Sequence, residues 1–143
     1  MKILVINGPN LNLLGVREPG LYGNRTYADL VRFIGASAID AGVEVEVFQS
    51  NHEGVLVDRI QSARGTFDAL AVNAAAYTHT SVAILDALKA VGLPTVEVHL
   101  TNPMKRERFR HVSFVKPAAL ATFAGLGIGS YSRAIRFLAE HRL

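Results

Sequence analysis

The chain has no cysteine among its 143 residues. That removes disulfide frameworks, thiolate metal sites, iron–sulfur clusters and thiol nucleophiles from consideration, and it fits a reducing compartment. Long apolar runs are missing too: nothing approaches the roughly 18 uninterrupted residues of a membrane span. Met1 and Lys2 lead straight into an apolar segment, with neither the basic leader nor the small-residue cleavage site of a secretory signal. A soluble, cytoplasmic protein with no membrane partner is the expectation. Linkers, repeats and low-complexity tracts are also absent, so residues 1–143 are read as one domain, large enough to bury a core without staples. Extreme charge is lacking as well. The net charge is +3, and much of the basic excess lies in KRERFR at 105–110. So short a cluster is matched more economically by an anionic small molecule than by nucleic acid.

What the chain does have is an alternation of β-branched apolar runs with segments of helical period, the pattern of a parallel sheet covered by helices. KILVI at 2–6 is the first expected strand. Thr26 and Asp29 have capping-box spacing ahead of a stripe formed by Leu30, Phe33, Ile34 and Ala38, which Gly42 closes. VEVEVF at 43–48 alternates strictly, so it should be a strand with one wet face near an edge. Leu56, Ile60 and Ala63 mark a second helix, ended by Gly65. ALAVN at 69–73 is apolar on both faces and therefore central. Thr80 or Ser81 should cap a helix running to Ala90, stopped by Gly92 and Pro94. TVEVH at 95–99 is the fourth strand, VSFV at 112–115 a short fifth, and Ser130–His141 a last amphipathic helix. Residues 117–127 fit helix and strand equally. The expected architecture is a flavodoxin-like, doubly wound, five-stranded parallel α/β sheet.

In such sheets ligands bind beyond the carboxyl ends of the strands. The segments following the first four strands are NGPNLN, QSNHEG, NAAAYTHTS and HLTNP. All are polar and carry Asn or His, so they should converge on one rim. The first belongs to the longer stretch NGPNLNLLGVREPGLYG at 7–23, which has no core-forming pattern.

Within that stretch Arg17 and Tyr22 form a pair bracketed by Gly15, Gly20 and Gly23. A free tyrosine titrates near 10, so acting as a base near neutrality requires lowering it by roughly three units, about 4 kcal/mol. A guanidinium beside the phenol oxygen supplies much of that once water is excluded, and the glycines allow residues of about 15–25 to close as a lid. An ordinary surface turn is the other reading. His79 and His99 stand at the rim, where either a proton-transfer role or a structural one is open. Glu97, two residues before His99 on the same strand face, either orients the imidazole or is a satisfied core carboxylate. Backbone NH groups after His99, with the Thr101 hydroxyl, form a plausible carboxylate cradle, and Arg110 can add a bidentate clamp. The other basic residues of that cluster read as a solvated face, and Asp86, in mid-helix, as an exposed helical charge. GLGIGS at 125–130 is not expected to be a dinucleotide loop, because only 13 residues follow Ser130. HEG at 52–54 lacks the second histidine of a zinc helix. Neither nicotinamide nor metal is expected.

Taken in order, INGPNLNLLGVREPGLYG, QSNHEG, AYTHTS, EVHLTNP and FRHVS resemble type II 3-dehydroquinate dehydratase over nearly the full chain. The resemblance implies a dodecamer built as a tetramer of trimers. It also implies cofactor-free dehydration of 3-dehydroquinate to 3-dehydroshikimate through an enolate, in the shikimate or quinate pathway. By motif, Tyr22 is similar to the base that takes the C2 proton, with Arg17 lowering its pKa. His99 is similar to the acid that protonates the departing hydroxyl, with Glu97 supporting it, and Asn10 to the residue that holds a water near the enolate. Asn73, His79, Leu100, Thr101 and Arg110 look like substrate ligands, and Asp86 like a residue reaching the site from a neighbouring subunit. The chemistry independently asks for a base, an enolate stabiliser and an acid. No lysine within the five blocks offers a Schiff-base nucleophile. The chain departs from the family pattern at Ala74, Ala75, Pro103, Met104 and Val112, none of which is assigned to the chemistry. A non-catalytic module binding a nucleotide or a small carboxylate is the main competing reading.

Overall fold

A computed structural model of the chain describes residues 1–16, 20 and 24–141. Five parallel strands form one sheet: β1 (Lys2–Asn7), β2 (Glu44–Gln49), β3 (Ala69–Asn73), β4 (Thr95–Val98) and β5 (Ala121–Phe123), in the order β2-β1-β3-β4-β5. This order reverses direction between β1 and β3, the switch point at which doubly wound sheets open a crevice.

Strand phase decides which layer each side chain joins. Ile3, Val5, Ala69, Ala71, Val96 and Val98 face helices α1 (Tyr27–Ala41) and α4 (Gly129–Glu140). Leu4, Ile6, Leu70 and Val72 face α2 (Glu53–Ser62) and α3 (Val82–Val91). Burying each Leu or Ile contributes about 1.5–3 kcal/mol, so the two layers together hold the sheet. Thr26 and Asp29 make the expected capping box at α1, and Leu30, Ile34 and Ala38 are buried beneath it, with Phe33 half-buried. Ser81 rather than Thr80 caps α3, its side chain accepting from Ile84 N at 2.9 Å. β2 is an edge strand with alternating exposure, as its sequence alternation indicates.

One expected element is wrong. Residues 112–115 form no strand; the fifth strand is Ala121–Phe123, which pairs with β4 through Val96–Ala121, Glu97–Thr122 and Val98–Phe123. The VSFV segment spends its polar groups elsewhere. Phe114 N donates to Thr78 O at 2.8 Å, and the Ser113 hydroxyl donates to Glu97. Val115 packs into the α2/α3 layer.

At the carboxyl end of the sheet, the turns after β1 and β3 touch. Gly8 N donates to Asn73 O at 2.8 Å, and an added Cβ on Gly8 would stand 2.3 Å from Ala74 O. Only glycine permits that approach. Among the described residues no helix is long and apolar enough to cross a membrane.

Candidate active site

A cavity of about 120 Å³ opens at this end of the sheet, room for about four waters at liquid density. Asn10, Leu11 and Leu14 line it from the segment after β1, Asn73 from the last position of β3, His79 from the segment that follows, and His99 and Thr101 from that after β4. The segment after β2 braces the rim instead of lining it. Asn51 accepts from Asn10 N at 3.0 Å, and Gln49 donates to Gly8 O at 3.1 Å. Asn10 itself sits at φ 69°, a left-handed conformation that asparagine tolerates better than most side chains.

His99 and Glu97 are both buried, and His99 Nε2 lies 2.9 Å from Glu97 Oε2. Glu97 on β4 and His99 just past its end are thus in contact, which leaves Nδ1 as the ring nitrogen available to the cavity. The carboxylate is held on three sides: the Ser113 hydroxyl also donates to Oε2, and Thr122 Oγ1 donates to Oε1 at 2.8 Å. Burial alone pushes the Glu97 carboxyl up, but the hydrogen bonds from His99, Ser113 and Thr122 and the attraction of His99 outweigh it. The carboxyl lies below its usual range. Glu97 is thus a satisfied core carboxylate and the orienter of His99 at once.

His79 Nδ1 meets Val112 O at 2.7 Å. A carbonyl accepts only, so Nδ1 carries the proton and Nε2 is left with a lone pair when the ring is neutral. Leu100, Thr101 and Arg110, expected as substrate ligands, line the cavity. Arg110 Nε is anchored on Glu107 Oε2 at 2.7 Å, which fixes the guanidinium where it can meet an anion. Arg106 corrects the reading of its cluster as a solvated face. It lines the same cavity, and its side chain is only 13% exposed. Lys105 and Arg108 are exposed. Arg106 follows one short 3₁₀ turn and Arg110 ends the next, so tertiary position rather than a helical spacing brings both to the cavity.

Asp86 is exposed on α3 and does not line this cavity. Arg17 and Tyr22, and with them most of the expected lid, lie outside the described residues. Ser113 and Thr122 carry no local sequence signal, because each acts through Glu97 from a segment placed only by tertiary contacts. Ala75 also lines the cavity, at φ 52°. A non-glycine residue there stores strain of about 1–3 kcal/mol, a cost that gathers at functional sites. Among the described residues no three His, Asp or Glu side chains are grouped to hold a metal ion.

The cavity thus combines two arginines, an oriented histidine and asparagine amides, a set suited to an oxygen-rich anion that gains or loses a proton. The family described as dehydroquinase class II matches residues 1–139. A 3-dehydroquinate dehydratase of Geotalea daltonii is 52% identical over 141 residues, covering 99% of this chain and 98% of that protein. A catabolic 3-dehydroquinase of Verticillium alfalfae is 53% identical over 140 residues, covering 98% and 93%. The crystal structure of a type II dehydroquinase from Butyrivibrio crossotus superposes with a TM-score of 0.94 at 47% identity, covering 96% of this chain and 97% of that one.

Proposed function

The chain belongs to the class II dehydroquinase family, and from that premise we propose that its rim cavity converts 3-dehydroquinate into 3-dehydroshikimate and water, a hydro-lyase reaction of the shikimate or quinate pathway. The observation that carries the mechanism is the buried Glu97–His99 pair opening onto a cavity lined by two arginines.

The elimination needs a proton removed beside the ketone and a hydroxyl expelled from the neighbouring carbon. In this reading Tyr22, its pKa lowered by Arg17 on a lid of about residues 15–25, takes the C2 proton. The electron pair moves onto the ketone oxygen as an enolate, which a water held by Asn10 stabilises. Collapse of the enolate forms the C1–C2 double bond and releases the C1 hydroxyl, which His99 protonates to water. Glu97 keeps the His99 ring in place for that transfer. Arg110, His79, Asn73, Thr101 and the Leu100 backbone bind the carboxylate and hydroxyl groups, and the proton and hydroxyl lost from substrate balance as one water. No cofactor is required by this sequence of steps. We further propose that the enzyme acts as a homododecamer, a tetramer of trimers, in which Asp86 completes the site of a neighbouring subunit.

The test is to mix the purified protein with 3-dehydroquinate and follow the ultraviolet absorbance of the conjugated product, with Tyr22→Phe and a borohydride-treated sample beside it. Product from the wild type, undiminished by borohydride and absent in the variant, is the expected result. Turnover by Tyr22→Phe at the wild-type rate would remove the tyrosine from the mechanism. Loss of activity on borohydride treatment with substrate would point to a Schiff base, and absence of product from the wild type would refute the reaction itself.

A further inference from the structure

Asn7 and Asn73 end neighbouring strands as register partners and are both buried. Their strand phase matches that of Ile3, Val5, Ala69 and Ala71, so both side chains turn toward the layer that contains α4. Between them α4 inserts Tyr131, which is fully buried. The Tyr131 hydroxyl donates to Asn7 Oδ1 at 2.6 Å and accepts from Asn73 Nδ2 at 2.8 Å. At one end of the chain Asn7 Nδ2 donates to Tyr27 OH at 3.4 Å. At the other, Asn73 Oδ1 accepts from Ala75 N at 3.1 Å.

The direction of this chain follows from donor counting. Ala75 N–H is a fixed donor that needs the Asn73 carbonyl, and a phenol has one proton, so the Tyr131 hydroxyl accepts from the Asn73 NH₂ and gives that proton to Asn7. The Asn73 amide must then present its NH₂ to Tyr131 and its carbonyl to Ala75. Turning the amide over would set the Ala75 N–H against an NH₂ and face the Tyr131 hydroxyl with a second acceptor. Each buried group left unpaired in that way costs about 1–3 kcal/mol. Burial pushes the Tyr131 phenol well above its usual value, more than the Asn73 hydrogen bond draws it down. The hydroxyl therefore keeps its proton throughout the working pH range. Asn73 lines the cavity, and with one NH₂ hydrogen spent on Tyr131 the other is left for a bound molecule.

We propose that Tyr131 is a positioning residue for the substrate: accepting from Asn73 Nδ2 and donating to Asn7 Oδ1, it completes the Tyr27–Asn7–Tyr131–Asn73 chain and, together with Ala75 N, holds the Asn73 amide as a donor to a carboxylate or carbonyl oxygen in the cavity. The identity of that substrate rests on the dehydration reading above; the orientation of the amide does not. Tyr131 touches no reacting atom, and its effect passes entirely through Asn73.

The test is a double-variant cycle on the intact protein, measuring kcat and KM for 3-dehydroquinate and the melting temperature of wild type, Tyr131→Phe, Asn73→Ala and the combined variant. Tyr131→Phe is expected to raise KM about tenfold while kcat changes much less, the signature of lost uniform binding. Asn73→Ala should raise KM at least as much, and adding Tyr131→Phe to it should raise KM no further. An unchanged KM in Tyr131→Phe, or an equal rise whether or not Asn73 is present, overturns the proposal, because a merely structural tyrosine acts alike in both backgrounds. If Tyr131→Phe does not fold, Asn7→Ala keeps the ring and removes the acceptor that sets the hydroxyl's direction. The same rise in KM is expected there, and an unchanged KM again overturns the proposal. Should wild type not turn over 3-dehydroquinate, the dehydration reading fails separately, and a neutron crystal structure of Tyr131→Phe, which tells the amide nitrogen from its oxygen, decides the orientation. An Asn73 amide still seated on Ala75 N would overturn the positioning role, whereas a rotated one would support it.

Discussion

Glu97 gathers three donors, from His99, Ser113 and Thr122, around two oxygens, and its ionised state is therefore worth stability. Its carboxyl is held below the ordinary glutamate value near 4.3. The sign follows from linkage: a depressed carboxyl stabilises the fold fully above the unfolded value, and that contribution disappears as pH falls through the folded value. Glu97→Gln offers a single carbonyl acceptor to three donors and turns an NH₂ toward one of them. The variant should be less stable than wild type by about 1–3 kcal/mol at pH 7. The gap should narrow below about pH 4.3, where wild type loses its own advantage. Denaturant melts at several pH values check this, and a gap that stays constant down to pH 3 would show that the carboxylate's charge is not what matters. Because the same residue seats His99, kcat should fall about tenfold or more, with a smaller change in KM.

At the level of elements, the strands and helices that carry the chemistry were legible because each follows one periodicity: β1 and β3 as apolar runs, β2 as strict alternation, α1 from its capping box. β5 was not. Ala121–Phe123 is three residues long and owes its place to pairing with β4, which no local pattern announces. The more strand-like VSFV was recruited by Glu97 and the Thr78 carbonyl, contacts set by tertiary position. The same split runs through the site. His99, Glu97, Asn73 and Arg110 stand at strand ends or in motif blocks and could be named from sequence, whereas Arg106, Ser113, Thr122 and Tyr131 acquire their roles only after folding. Thr122 gives the split an experimental form. The residue is exposed, but its hydroxyl reaches Glu97 Oε1, so Thr122→Val, which keeps the β-branched shape and the strand pairing, should cost about 1 kcal/mol. An exposed threonine on a simple edge strand would change stability by no more than about 0.5 kcal/mol. Chemical denaturation separates the two, and a neutral substitution would mean that Thr122 contributes its backbone alone.

For the whole molecule, the proposed sharing of sites between subunits has support in what one chain leaves uncovered. Met104, Phe109 and Val112 are exposed apolar side chains on the segment that also supplies Arg106 and Arg110, and Val82 is exposed one turn before Asp86 on α3. Apolar side chains grouped around a binding segment are what a second subunit would cover. If Asp86 serves a neighbour's site while Tyr22 serves its own, then Asp86→Ala and Tyr22→Phe subunits are each inactive for different reasons. Mixed by co-expression, they should form sites that take Tyr22 from an Asp86→Ala chain and Asp86 from a Tyr22→Phe chain. With equal amounts and random assembly, roughly a quarter of the sites should be intact. Recovery of about that share of wild-type activity, from two preparations that have little alone, would establish a composite site. No recovery from verified mixed oligomers would instead confine Asp86 to its own chain. Its exposed position on α3 would then be an ordinary helical charge, and the cavity lined by His99 and the two arginines would have to complete the reaction within a single subunit.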